Sequence, residues 1–117
     1  MTTFSMAMLV CSNLERSRLF YRDVLGLRIG TDALPHWVDF ELGDGAKLGL
    51  HPADGHSAVR PGSLELAFRV ANVDGFISDA RLAGASILQE PYDDRFLRVA
   101  VIADPDGYHV RVGTPKP

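Results

Sequence analysis

Two stretches of this chain follow one plan. Asn13-Leu-Glu, an amphipathic run ending at Gly26-Leu27 and a turn at Asp44-Gly45 return as Asn72-Val-Asp, Gly84-Ala85 and Asp106-Gly107, about 60 residues later. An internal repeat constrains the fold more than composition does, because each copy must solve one packing problem with the same elements. The chain has 117 residues, room for one ordinary domain. The two copies are therefore expected to share a core, and the seam between them is the expected place for a small ligand.

Local signals divide both copies alike. Residues 4–11 are aliphatic and too few for a capped helix, so they read as a strand. Ser12 and Glu15 fit a capping box and open a helix over 13–25. Its apolar residues Leu14, Phe20, Tyr21, Val24 and Leu25 recur at helical spacing until Gly26 stops it. Residues 36–42 alternate as a half-buried strand, Gly43-Asp44-Gly45 is hairpin chemistry, and another strand covers 46–51. After a loop with Pro52, Gly55, Pro61 and Gly62, the second copy reads as a strand over 63–70 and a helix over 73–82. Strands over 87–90, 97–103 and 108–113 follow, the last two joined by Asp104-Pro105-Asp106-Gly107. Each copy is thus βαβββ. The expectation is an α+β chain, one domain over 1–117, with modules at 2–52 and 63–113 and a linking loop at 53–62.

Alternation along the strands sorts their side chains. Ala7, Leu9 and Cys11, Val38, Phe40 and Leu42, Leu48 and Leu50, Leu64 to Val70 in steps of two, and Val110 and Val112 fall on faces that cover the helices. Met6, Met8, Trp37, Asp39, Glu41, Lys47, Gly49 and His51 fall opposite in the first copy, and Glu65, Ala67, Arg69, His109 and Arg111 in the second. If the sheets curl into a common cup, charge, histidine and one tryptophan line it.

Composition removes whole classes of function. A net charge of −3 with 46% apolar and 23% charged residues gives no field to draw nucleic acid or an anionic membrane. No apolar run approaches the ~20 residues of a spanning helix, and Met1-Thr-Thr-Phe-Ser-Met lacks the basic region of a secretion signal. The expected location is the cytoplasm. Cys11 has no second cysteine to pair with and reads as a small buried hydrophobe. Phosphate-loop, dinucleotide, nucleophile-elbow and H-E-x-x-H motifs are absent from the sequence.

The segments Ser17-Arg-Leu-Phe20-Tyr-Arg-Asp-Val-Leu-Gly-Leu27 and Asp104-Pro-Asp-Gly-Tyr-His-Val-Arg-Val112 resemble the two hallmark segments of the vicinal oxygen chelate superfamily. That superfamily includes glyoxalase I, bleomycin-resistance proteins, extradiol dioxygenases, fosfomycin-resistance enzymes and methylmalonyl-CoA epimerase. The resemblance covers nearly the whole chain and implies paired βαβββ modules forming a cupped mixed sheet, the glyoxalase/bleomycin-resistance/dihydroxybiphenyl dioxygenase fold, in a homodimer. It also implies a divalent metal held by His, Glu or Gln from the first and last strands of each module. Counting from the caps and turns puts those four places at Met6, Gly49, Glu65 and Arg111. Only Glu65 is a ligand that Zn²⁺, Ni²⁺, Fe²⁺ or Mn²⁺ would accept. The usual site is therefore expected to be lost, with no cofactor. A displaced divalent-metal site at His51, Glu65 and His109 is the alternative, though two residues along a strand is roughly 6.5–7 Å, far from the usual place.

Three roles are open to Glu65 and Arg111, in this order: an ion pair across the cup, an Arg111 clamp for an anionic ligand aided by Arg69, and a Glu65 general base raised in pKa by partial burial. Trp37, in phase with Asp39 and Glu41, reads as an aromatic wall for a flat, cationic or charged small molecule. Met6, Arg69, His109 and Arg111 complete the expected ligand contacts, and His36, Tyr92 and Phe96 lie in or near loops that could extend the wall. The function expected is metal-independent binding of a small aromatic or charged molecule, of the antibiotic-sequestering kind found in bleomycin-resistance proteins. The alternative is a glyoxalase-like lyase or isomerase using the displaced metal or Glu65 as acid–base catalyst; the balance leans against an enzyme.

Overall fold

The computed structural model describes residues 2–116, without the side chain of Ser63. The first strand, β1, spans Ala7–Cys11 and is shorter than the expected 4–11: Phe4 lies outside it, 79% exposed. Helix α1, Leu14–Leu19, starts one residue later than a Ser12 box would set it. Asn13 is the cap, its side chain accepting the Arg16 amide at 3.0 Å, while Ser12 Oγ meets the Arg16 guanidinium. The helix widens into a π turn over Phe20–Val24, with the Leu25 amide reaching the Phe20 carbonyl, and leaves it at Gly26. Leu14, Ser17, Phe20 and Tyr21 form its buried stripe.

The strand that sequence reading left unnamed in the first copy is β2, Arg28–Ala33. It pairs antiparallel with β3, Trp37–Gly43, which pairs antiparallel with β4, Ala46–Pro52; β1 joins β4 in parallel. The sheet order is β1-β4-β3-β2. The second copy repeats it: β5 (Glu65–Arg69), α2 (Val73–Leu82), β6 (Ser86–Asp93), β7 (Leu97–Ala103) and β8 (His109–Pro115), in the order β5-β8-β7-β6. β8 thus runs past the expected end at 113. Asn72 caps α2 through the Gly75 amide, as Asn13 caps α1, so the two repeat markers do the same work.

The chain clusters into two compact units that divide between Val59 and Arg60. Each sheet packs its own helix, α1 against β3 and β4 and α2 against β6, β7 and β8. Leu9, Tyr21, Val38, Phe40, Leu48 and Leu50 are buried in the first unit; Val73, Ile77, Ala100, Ile102, Val110 and Val112 are buried in the second. Burial of a Val, Leu, Ile or Phe side chain contributes about 1.5–3 kcal/mol each, so these two sets are the main stabilising features of their units. Alternation puts Leu42 and Leu64 on helix-covering faces, but both are exposed, Leu42 close to the Gly43–Gly45 turn and Leu64 just before β5. Among the described residues no helix is long and apolar enough to cross a membrane.

Candidate functional site

In the first unit the face away from α1 is organised around one buried carboxylate. Asp39 is only 4% exposed. Its Oδ2 accepts the Trp37 indole N–H at 2.8 Å, its Oδ1 accepts the Thr31 amide at 2.9 Å, and Lys47 Nζ stands 3.9 Å away. Burial pushes the carboxyl up, but the indole, the amide and the Lys47 charge outweigh it and hold Asp39 below the ordinary carboxylate range. The Thr31 amide reaches it because β2 bulges between Ile29 and Asp32. The same bulge sends Asp32 back to the helix side, where Arg18 Nη2 donates to it at 2.6 Å.

Two glycines make room for this arrangement. At Gly30 a Cβ would lie 2.5 Å from Asp39 Oδ1 and 3.2 Å from Glu41 Cγ. At Gly49 it would enter the Trp37 ring, 2.8 Å from Cζ2, with Met6 Sδ at 3.1 Å. The indole therefore lies over Gly49, with the Met6 sulfur beside that residue. Trp37 and the cross-strand His51 lie parallel, 11° apart with ring centroids separated by 6.5 Å, and His51 Nδ1 sits 3.0 Å from the Pro52 carbonyl oxygen. Glu41 is exposed and faces Arg28 across the β2–β3 pair at 3.9 Å.

In the second unit the corresponding face carries an ion pair. Arg111 Nε donates to Glu65 Oε1 at 2.5 Å, with the side chains 35% and 42% exposed. The Glu65 hydrogen bond first, and the Tyr92 hydroxyl second, raise Arg111 above the usual guanidinium value. Partial burial of Glu65 was expected; the residue is exposed. Tyr92 belongs to β6 rather than to a loop, and on β7 the buried Val101 stands opposite Arg111 and the buried Val99 opposite Tyr92. His109 is exposed and is the register partner of Glu65; Arg69 is exposed at the register of Gly113. Phe96 lies in the β6–β7 turn under the Arg95 guanidinium, and His36 is exposed before β3. A second buried carboxylate, Asp104, closes its turn through the Asp106 and Tyr108 amides at 2.9 Å.

Of the residues singled out from sequence, Met6, Trp37, Asp39 and His51 come together in the first unit, and Glu65, His109 and Arg111 in the second. Gly30 and Thr31 escaped notice, and their only sequence signal was a Gly-Thr-Asp run that the bulge removes from strict alternation. The four places that resemblance assigns to metal ligands are a thioether, a glycine beneath an indole, and a carboxylate and guanidinium bound to each other. As a donor set these do not fit a divalent ion. Among the described residues, no three His, Cys, Asp or Glu side chains are grouped so as to hold a metal.

A family model described as a glyoxalase-like domain matches residues 4–116. No curated protein matches the chain. Solved structures do. A protein of Agrobacterium tumefaciens determined by solution NMR is 32% identical, with a TM-score of 0.82 and 100% of both chains covered. TnmS3, an antibiotic binding protein from Streptomyces sp. CB03234, is 23% identical, with a TM-score of 0.81 over 99% of this chain and 98% of its own. A lactoylglutathione lyase from Agrobacterium tumefaciens is 21% identical, with a TM-score of 0.75 over 97% and 93%. These last two likenesses are of fold.

Proposed function

The chain belongs to the glyoxalase-like domain family, within the vicinal oxygen chelate superfamily, and from that premise we propose that it binds a small planar aromatic molecule against Trp37 without a metal, holding the molecule rather than converting it. The observation that carries this reading is the Trp37 ring lying over Gly49. A place that resemblance gives to a metal ligand is filled by an aromatic surface, and a buried carboxylate holds that surface still. Aromatic rings bring large contact area with little entropy to lose, which suits a binding wall. The description of a same-fold protein as antibiotic binding supports the sequestering form of the reading. The reading includes a homodimer, as the resemblance implies; light scattering should return twice the chain mass.

Thermal shift and fluorescence test it together. Anything that binds the folded chain raises its apparent stability. The melting temperature should be the same with Zn²⁺, Ni²⁺, Mn²⁺ or EDTA, whereas bleomycin or another aromatic antibiotic should raise it and saturably quench Trp37. A metal-dependent rise with no Trp37 response to any aromatic compound would overturn the reading.

An acid–base catalyst built on Glu65 is the second reading, favoured by a recess of about 270 Å³ lined by Pro61, Gly62, Leu64, Glu65 and His109. On that reading purified protein forms lactoylglutathione from methylglyoxal and glutathione, and Glu65→Gln abolishes the turnover while bleomycin still quenches Trp37. Absence of turnover in the unaltered chain removes it.

A further inference from the structure

The bond between Trp37 and Asp39 bears on what kind of ring the first unit would hold. With its N–H given to Asp39 at 2.8 Å, the indole has no donor left for a ligand. Asp39 itself is covered, so a ligand on this face meets the half-buried indole and not the carboxylate. The carboxylate still acts through the bond. A hydrogen bond to an ionised acceptor is about twice as strong as a neutral one, and in a low-dielectric setting it polarises its donor. Electron density moves from the N–H into the ring, deepening the negative potential that an aromatic face already presents. Such a face attracts positive charge.

The neighbouring charges modify this without reversing it. Lys47, 3.9 Å from Oδ1, offsets part of the Asp39 charge, but its side chain is 38% exposed and screened by water. Glu41 is exposed on the same face with Arg28 across from it, Asp32 is taken by Arg18 on the helix side, and His51 lies parallel to the indole.

We propose that the Trp37 face selects a planar aromatic cation over a neutral ring of the same shape, with Asp39 as the positioning residue that sets this preference through the indole rather than by touching the ligand. This rests on the reading that ligands stack on Trp37. Calorimetric titration of the full chain at neutral pH and low salt, with N-methylquinolinium chloride and with quinoline, tests it. The cation should bind about fivefold more tightly, within the range of cation–aromatic attraction. Asp39→Asn, which keeps an acceptor and removes the charge, should bring the ratio of the two affinities toward one. Lys47→Met, a change at a partly exposed position, should raise the ratio and stands in if the Asp39 variant does not fold. Equal affinities in the unaltered chain overturn the proposal while the binding reading stands; binding of neither probe overturns both. A ratio unmoved by both substitutions, with affinities for the two probes falling alike, makes Asp39 merely structural and overturns its role.

Discussion

Gly49 and Arg111 occupy the same place in the two copies. Gly49 pairs with Asp39 on the third strand and Met8 on the first; Arg111 pairs with Val101 and Ala67 in the same pattern. In the first unit that place is closed by packing: an indole over a glycine, anchored by a buried carboxylate. In the second it is closed by charge, a half-buried guanidinium on an exposed carboxylate, with the buried Val101 across from Arg111 on β7. The difference teaches that the repeat decides which positions correspond, while the side chains decide whether the place is closed by packing or by charge. Packing without a Cβ tolerates no growth. An exposed ion pair tolerates almost any exchange.

Substitutions at the two places should therefore differ sharply in cost. Asp39→Ala should be the most damaging, at about 2–3 kcal/mol by urea denaturation, because it orphans the Trp37 indole N–H and leaves the Thr31 amide to water. Gly49→Ala should cost about 1–3 kcal/mol, since the added Cβ meets the Trp37 ring and Met6. In a Trp37→Ala background the same change should cost far less; an equal cost in both backgrounds would show that indole and glycine are not matched. Arg111→Met should cost no more than about 1 kcal/mol, and less in high salt, as exposed ion pairs do. If it costs more than Gly49→Ala, the contrast between the units is inverted.

Acid offers a gentler probe of the same contrast. The Asp39 carboxyl titrates lower in the folded chain than unfolded, so the unfolded state takes up the proton first as pH falls. Its stabilising contribution is complete above the ordinary aspartate value of about 3.9 and fades as pH drops through the depressed folded value. Thermal melts from pH 7 to pH 2 should therefore show a shallower acid limb in Asp39→Asn than in the unaltered chain. Parallel limbs would mean that Asp39 carries no charge-dependent stability.

How much of this was legible in the chain varies with the physical cause. The limits of α2 and β7 followed directly from periodicity and turn residues, because local signals there agree with the tertiary outcome. β2 was missed because its bulge puts Ile29 and Asp32 out of strict alternation, and that same irregularity brings Thr31 to the site. Ser12 and Glu15 matched a capping pattern, yet Asn13 holds the position, since two adjacent cap-forming residues compete and the backbone chooses one.

The sequence alone determined the repeat, the face taken by residues of the regularly alternating strands and the chemistry available at the four corresponding places. Alternation is a property of the extended backbone, so it placed Trp37 and Asp39 on one face without any knowledge of neighbours, whereas the expectation that Glu65 meets Arg111 came from the resemblance. Only the tertiary structure decided that Asp39 is buried and bonded to the indole N–H, that Gly30 and Gly49 make the space, and that Arg111 is spent on Glu65. Burial and hydrogen-bond partners depend on atoms far apart in the chain, and a pattern with a period of two carries no information about them.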